Sequence, residues 1–505
     1  MDFNTRYAKL NDNQRQAVDY IHGSLLVIAG PGTGKTELLS MRTAQILKQT
    51  DTLPNSILCL TFTESGATNM RQRLRQIIGE DAYKIAIHTF HSFGTEIINQ
   101  HREYFFRGAD AQPVDELTQY QIISGILEEL DWRNPLSAKN NGEFVYIKDL
   151  IRIISEFKQS GLTPSELRAI IEDNQSTIAE IAPDIQQVFS AKISKKTIEM
   201  FAPIAEKIAN LAAKNPDEKN SKLPASITPY ANVLALSIVH ATQEAIDENS
   251  TKPLTAWKNK WCEKNANGEF VLKDFTAAEK LSAAIDVYEK YVNILSERSL
   301  FDYDDMILSV IQACESHPEL RANLQEQFQF IMVDEFQDTN LAQLRLLFNL
   351  TSENDDNPNI MAVGDDDQAI FSFQGADVGN IQRFRQHYHD PKIIVLTDNY
   401  RSAENILSSA RDVITQGADR LENTIDGLSK QLTAHANSEG SKVEIQEFSS
   451  VSEERAGIAK QIAELIKNGE KPENITIIAR HHKELIEILP HLYKENLFVN
   501  YERHD

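Results

Sequence analysis

Short apolar runs punctuate two stretches of the chain, each run closing on a polar cluster before helical periodicity resumes. Leu25–Ala29, Ile57–Leu60 and Ile85–Ile87 lie in the first stretch, and Phe328–Val333, Ile360–Val363 and Ile393–Leu396 in the second. An unbroken apolar run between turn residues reads as a strand buried on both faces, and such strands alternating with helices read as a parallel α/β sheet. The intervening helices are expected over Gln14–Ile21, from Lys35 to about Leu47, over Ala67–Ile77, and from about Ala403. Asn11 or Asp12 is placed to cap the first of them. From about 101 to 295 a 3.6-residue period dominates, most clearly over Tyr120–Leu130, Ile147–Phe157, Pro164–Ile171, Ile193–Ala213 and Ala277–Leu295. Near the end, strands are expected at Lys442–Phe448 and Ile475–Ala479, and helices at Glu453–Ile466 and Glu484–Leu492. The pattern predicts one α/β domain split into residues 1–100 and 296–390, a helical insertion over 101–295, and the beginning of a second α/β domain, incomplete, over 391–505.

The first strand runs directly into Gly30-Pro31-Gly32-Thr33-Gly34-Lys35-Thr36 and then a helix. That layout is a phosphate-binding loop: glycines let backbone N–H groups approach an anion, and the helix N-terminus adds its positive dipole end. Lys35 can reach the β- and γ-phosphates of a nucleotide, and the Thr36 hydroxyl can hold Mg²⁺. Ala29 stands where the strict motif has glycine.

The strand at Phe328–Val333 ends in Asp334-Glu335-Phe336-Gln337-Asp338. An acid at a strand end beside a phosphate loop suits Mg²⁺, the role for Asp334, and its neighbour Glu335 suits orientation and deprotonation of an attacking water. Ile360–Val363 leads into Gly364-Asp365-Asp366-Asp367-Gln368, where Gln368 can donate to a γ-phosphate and report its presence. Phe371 and Phe373 follow at once, so a phosphate sensor and two rings able to stack on bases share one segment. Ile393–Leu396 leads into Asn399-Tyr400-Arg401-Ser402, where Tyr400 can stack on adenine and Arg401 reach the γ-phosphate. Gln14, just ahead of the first strand, can hydrogen-bond an adenine edge or face solvent.

Two further strands end in Thr61-Phe62-Thr63 and in His88-Thr89-Phe90-His91-Ser92-Phe93. Rings beside hydroxyl and imidazole donors at the carboxyl ends of a parallel sheet suit a single strand of nucleic acid, although each Phe taken singly also suits a core. Arg71, Arg73 and Arg75 read equally as part of that track or as a solvated helix face. Within the insertion, Lys192, Lys195 and Lys196 form one basic stretch. Trp257-Lys258-Asn259-Lys260-Trp261 pairs cations with aromatics, either as a strand-tracking surface or as core tryptophans at i, i+4.

Composition adds bounds. The 505 residues, 41% hydrophobic and 25% charged, suit a soluble globular chain of several domains. A net charge of −23 argues against a uniformly basic nucleic-acid binder but leaves room for a local groove. No apolar run approaches a membrane span, and the start lacks a basic-then-apolar leader, so no membrane partner and a cytoplasmic setting are expected. Cys59, Cys262 and Cys314 lie far apart with no metal-ligand spacing.

Taken together, LNDNQ, AGPGTGKT, LTFT, HTFHSF, FDYDDM, VDEFQDT, VGDDDQAIFSFQGA and NYRS stand in the order found in UvrD/Rep-type superfamily 1 DNA helicases. The chain resembles that family over nearly its whole length, strongly in the sheet-forming parts and weakly in the insertion; Ala29 is usual there. The resemblance implies RecA-like motor domains and an ATP-dependent, 3′→5′ translocase and helicase acting on single-stranded DNA and single/double-strand junctions, with ATP and Mg²⁺ as cofactors. It assigns Gln14 and Tyr400 to the adenine. Gly30, Gly32, Thr33, Gly34, Lys35, Thr36, Asp334, Glu335, Gln368 and Arg401 go to ATP and Mg²⁺, and Thr61, Phe62, His91 and Phe373 to the DNA track. Two departures stand out. Many relatives have aromatic-Arg-Gly-Ala where this chain has Phe373-Gln374-Gly375-Ala376. The family's later inserted domain, DNA-gripping motif and finger arginine are not recognisable before Asp505, which suggests the N-terminal part of a helicase. A nucleotide- and DNA-binding module with poor turnover, and the motor part of a helicase–nuclease, are the alternatives.

Overall fold

The computed structural model describes residues 3–105, 111–189, 193–194, 198–213, 230–264, 268, 270–273, 276–351, 357–370, 379–389, 391–417, 420–425, 427–436 and 442–499. In chain order, α1 (Asp12–Asp19) precedes β1 (Leu25–Ala29), and α2 (Lys35–Gln49), β2 (Ile57–Thr61), α3 (Glu64–Ile78), β3 (Ala86–Thr89) and α4 (Phe90–Gln100) follow. The insertion contains α5 (Glu116–Glu128), α6 (Ile147–Gln159), α7 (Pro164–Phe189), α8 (Ala202–Ala213), α9 (Tyr230–Asp247), α10 (Lys252–Trp261) and α11 (Thr276–Glu297). Alternation then resumes with α12 (Asp305–Ser316), α13 (Pro318–Gln327), β4 (Phe330–Val333), α14 (Leu341–Leu350), β5 (Ile360–Gly364), α15 (Gly379–His387) and β6 (Lys392–Leu396).

The six strands form one sheet, parallel throughout, in the order β6-β1-β5-β4-β2-β3. Their side chains divide by the two-residue strand period between two cores. Leu26, Ile28, Leu58, Leu60, Ile331, Val333, Ile360 and Ala362 join Phe93, Ile97, Val310, Ile311, Leu344, Leu347 and Phe384 on one face. Leu25, Val27, Ile57, Cys59, Phe330, Met332, Met361 and Val363 join Val18, Leu38, Met41, Ile46, Met70 and Leu74 on the other. Burial on both faces is why these strands read as continuous apolar runs.

The insertion has two cores of its own. One gathers Ile123, Ile126, Leu150, Ile154, Tyr288 and Tyr291 from α5, α6 and α11. The other gathers Leu234, Ile238, Leu254 and Trp257 from α9 and α10. Polar joints tie the insertion to the sheet domain. Lys158, fully buried at the end of α6, bonds Asp302 at 2.5 Å and Asp305 at 2.6 Å. Arg345 on α14 bonds the Gly161 carbonyl, Glu166 and Glu315.

Several expectations change. The strand expected to open the second α/β domain, β6, pairs with β1 in the first sheet, from Leu25↔Lys392 to Ala29↔Leu396. Its neighbours in space, not its place in the sequence, decide its membership. The chain forms two compact units, Met1–Ser402 with Arg411–Asn437, and Ala403–Ala410 with Ser438–Asp505. In the second unit, α16 (Val451–Lys467) and α17 (His482–Lys494) pack through Ala459, Ile488 and Leu492, with Ile462 and Ile477 alongside. Lys442–Phe448 and Ile475–Ala479 are not strands: among the described residues neither has a ladder partner, and Ile445 and Ile478 are 94% and 89% exposed. The helix expected over Ile193–Ala213 is a 3-10 turn, Ile198–Phe201, followed by α8. Trp257 is core, its indole N–H on the Ser237 hydroxyl at 3.0 Å, and Trp261 packs edge-on against Tyr230.

Candidate functional site

The loop after β1 depends on its glycines. Gly32 and Gly34 have φ of +69° and +85°, the left-handed region that favours glycine. A Cβ on Gly32 would lie 2.7 Å from Arg401 Cβ, and one on Gly30 2.9 Å from a Leu432 methyl. Thr33 is buried and closes the turn by donating to the Gly30 carbonyl at 2.8 Å. α2 starts at Lys35 with Gly34 as its cap residue, so the free N–H groups of its first turn face this loop.

Parts of the chain distant in sequence converge here. Gln14 is buried; its amide donates to the Thr33 carbonyl at 2.9 Å, which removes the solvent-facing alternative. It belongs to a capping box with Asn11, and Asn11 in turn donates to the Tyr400 hydroxyl and to Asp398. Asn399 donates to the Pro31 carbonyl and accepts from the N–H groups of Arg401 and Ser402, while the Tyr400 N–H reaches the Gly32 carbonyl. Tyr400 is half exposed and stacks on His435, which bonds Asp398.

The acids arrive from β4. Lys35 Nζ lies 2.5 Å from Glu335 Oε2. Glu335 has φ +48° and ψ +46°, an uncommon conformation for a non-glycine residue that aims its carboxylate at the loop. Burial, with Glu335 adjacent, pushes the Asp334 carboxyl up to about 6. Gln337, unassigned in the sequence, ties this turn to β5: its amide donates to Glu335 at 2.9 Å and to Asp338, and its carbonyl accepts from the Asp365 N–H at 3.0 Å. Gln368 donates to Asp365 at 2.8 Å and lies 3.4 Å from the Ala29 carbonyl. Mg²⁺ at a phosphate loop takes one hydroxyl, one carboxylate and phosphate oxygens, so Thr36 and Asp334 fit it. No cluster of three or more metal-ligating side chains exists among the described residues.

A second group sits at the ends of β2 and β3, where Thr61 pairs in register with Thr89. Thr61 is buried and donates to the Thr63 carbonyl; Thr89 caps α4 and donates to Glu64. His91 stacks on Tyr303 with centroids 4.0 Å apart, and its buried Nε2 has no hydrogen-bond partner. Burial lowers the His91 pKa to about 4, so the ring is neutral at pH 7. Tyr303 is 64% exposed, a residue that sequence reasoning misses within FDYDDM although it is an aromatic in an otherwise acidic turn. Phe62 is half-buried beside this group. Arg71, Arg73 and Arg75 are engaged with the Ile87 carbonyl, Glu37 and Glu80, as a helix face rather than an open track. Phe371 and Phe373 lie outside the described residues, as do Lys192, Lys195 and Lys196.

Comparison with known proteins identifies the family. The UvrD/REP helicase N-terminal domain matches residues 10–217 and 179–389, and the UvrD-like helicase C-terminal domain matches 394–503. The latter match covers the part in which the sequence alone suggested only the opening of a second domain. The ATP-dependent DNA helicase PcrA of Staphylococcus epidermidis is 28% identical over 479 residues, covering 94% of this chain and 48% of the relative. PcrA of Staphylococcus aureus is 26% identical over 471 residues, covering 93% and 48%. The chain thus spans about half the length of the curated relatives it matches.

Proposed function

The chain belongs to the UvrD/REP helicase family, and on that premise we propose that it forms an ATP-dependent motor that grips single-stranded DNA. The observation that carries this reading is convergence: Gln14, Lys35, Glu335, Gln368 and the Asn399–Arg401 loop, scattered through the sequence, meet around one phosphate-sized turn. Gln14 and Tyr400 take the adenine, and the Gly30–Gly34 backbone with Thr33 cradles the phosphates. Lys35 exchanges Glu335 for a phosphate oxygen, which frees the Glu335 carboxylate to accept a proton from water. Gln368 and Arg401 meet the γ-phosphate. Thr36 and Asp334 hold Mg²⁺, which screens the phosphate charge when bound.

Thr61, Phe62, His91, Tyr303 and Phe373 line the DNA track. Unwinding at strand junctions and 3′→5′ movement extend the same reading, with residues 1–100 and 296–396, β6 included, as the first motor domain, 101–295 as its insertion, and later residues contributing to the second. No helix among the described residues is long and apolar enough to cross a membrane. The three cysteines are free and buried, which supports a cytoplasmic setting.

The test is steady-state ATP hydrolysis with and without single-stranded DNA, on wild type, Glu335→Gln and Lys35→Ala. DNA-stimulated turnover, lost in both variants, supports the motor reading. Mg-ATP binding without turnover shifts it to a nucleotide- and DNA-binding module. A wild type that binds no nucleotide overturns it.

A further inference from the structure

The segment from Arg420 to His435 crosses the nucleotide site and touches it three times. Lys430 enters the Asp365–Asp367 turn, Leu432 lies against Gly30, and His435 stacks on Tyr400. The first contact is the most elaborate. Lys430 is 7% exposed, and its ammonium lies 2.8 Å from Asp365, 2.6 Å from Asp366 and 2.8 Å from Asp367. Arg420 forks onto Asp367 at 2.8 and 2.7 Å, and the Leu421 N–H donates to Asp366 at 2.9 Å. Three carboxylates on one short turn repel one another and need a counter-charge when buried. Burial works against the Lys430 ammonium, yet the three acids together hold its pKa above the ordinary lysine value.

Asp365 is shared. Its Oδ1 accepts from Lys430 and from the Asp367 N–H, while its Oδ2 accepts the Gln368 amide at 2.8 Å. The Gln368 Nε2 carries two N–H groups, one on Asp365 and one 3.4 Å from the Ala29 carbonyl, so a γ-phosphate would compete with Asp365 for this amide. A carboxylate with no counter-cation holds an N–H donor more strongly than a paired one and repels an approaching phosphate. We propose that Lys430 is a positioning residue for nucleotide sensing: by neutralising Asp365 it weakens that carboxylate's hold on the Gln368 amide and its repulsion of the γ-phosphate the amide would meet. The inference rests on the nucleotide reading above, with Gln368 as the sensor. It also gives a route by which the 420–435 segment responds to the third phosphate, since the residue that releases Gln368 belongs to that segment.

A purely structural Lys430 would pin the segment to the sheet, and its loss would weaken every nucleotide alike. The separating measurement is the ratio of dissociation constants for a fluorescent non-hydrolysable ATP analogue and the matching ADP, each with Mg²⁺, on the full chain. Lys430→Gln alone strands the buried Asp365 and Asp366, Asp367 keeping Arg420, so the variant is Lys430→Gln with Asp366→Asn, alongside Lys430→Arg. The double variant is expected to bind ADP as wild type does and to lose about tenfold in affinity for the triphosphate; Lys430→Arg restores the ratio. An unchanged ratio in the double variant, or equal losses for both nucleotides, overturns the inference. Asp365→Asn is the second arm, removing the charge that Lys430 neutralises. It is expected to keep the triphosphate preference, and losing that preference overturns the inference even where the double variant does not fold. Lys35→Ala serves as control, since it weakens both nucleotides. A wild type that binds neither overturns the nucleotide reading itself, a result distinct from an unchanged ratio.

Discussion

Around Gly30–Gly34 polar groups bond to one another, with Lys35 on Glu335, the Gln337 carbonyl on the Asp365 backbone N–H, and the Gln368 amide on the Asp365 carboxylate. At the ends of β2 and β3, on the same edge of the same sheet, the arrangement is a stacked ring pair with one face open and an imidazole nitrogen left without a partner. The first arrangement fixes charges in space, which directed chemistry at a phosphate requires because its donors must be aimed before the reaction begins. The second offers a π-face and a neutral ring, the means by which the proposed track would hold a base whatever its identity. In the proposed function one sheet thus carries a site that is specific in geometry beside one that is tolerant in sequence. The same comparison separates the residues whose loss should stop chemistry from those whose loss should loosen a grip.

The largest effect should come from Glu335→Gln. It keeps the side chain's size and its bond to Gln337 but removes the base, so DNA-stimulated hydrolysis should fall by about 10²–10⁴. Mg-ATP affinity, read by calorimetry, should change little. An equal loss of binding would show that Glu335 holds the nucleotide and would erase the distinction between the two clusters. Lys35→Ala comes next. It removes a charged phosphate contact of about 1.5–3 kcal/mol, with no change in single-stranded DNA affinity measured without nucleotide.

The two clusters also differ in how far they could be read from sequence. The phosphate loop was visible because its requirements are local: a buried strand, glycines where φ is positive, then Lys35 and Thr36 at a helix start. Asp334, Glu335 and Gln368 were visible because each lies in the turn that follows a strand. What was not visible depends on contacts between distant residues. Gln337 gains its place from Asp365, Lys430 from the Asp365–Asp367 turn, and Tyr303 from His91, none of which spacing reveals. The same limit misassigned β6, whose apolar run marks a strand but not its neighbour. It also misread Lys442–Phe448, where alternation was present and, among the described residues, a partner strand was not.

Tyr303→Ala sharpens the grip side of the comparison. Removing the exposed ring should cost about 1–3 kcal/mol of single-stranded DNA affinity by fluorescence anisotropy, with little dependence on base sequence. Nucleotide affinity should stay at the wild-type value. DNA binding that remains unchanged would return Tyr303 to the role of a cover for His91.

The smallest effect concerns the charge of His91, and it tests whether the grip is neutral. Burial beneath Tyr303 lowers its pKa to about 4, against about 6.5 for the unfolded chain. Between those values the unfolded chain takes up a proton that the folded one refuses. The stability tied to neutral His91 is therefore fully present above about pH 6.5 and is lost as the pH falls toward 4, at no more than about 1.4 kcal/mol per pH unit. Other groups titrate in the same range, with Asp334 and Asp338 both pushed up to about 6, so the useful quantity is a difference between wild type and His91→Phe. Phe keeps the stack on Tyr303 and cannot be protonated. The gap in thermal midpoint between the two proteins should move against wild type as the pH is lowered from 7 to 5. The salt dependence of DNA binding should meanwhile be the same for both at each pH, because a neutral ring releases no counterion. A cationic phosphate contact would do the reverse: wild type would bind DNA more tightly than His91→Phe at pH 5, with a steeper salt slope, and His91 would then belong with the charged groups of the nucleotide side.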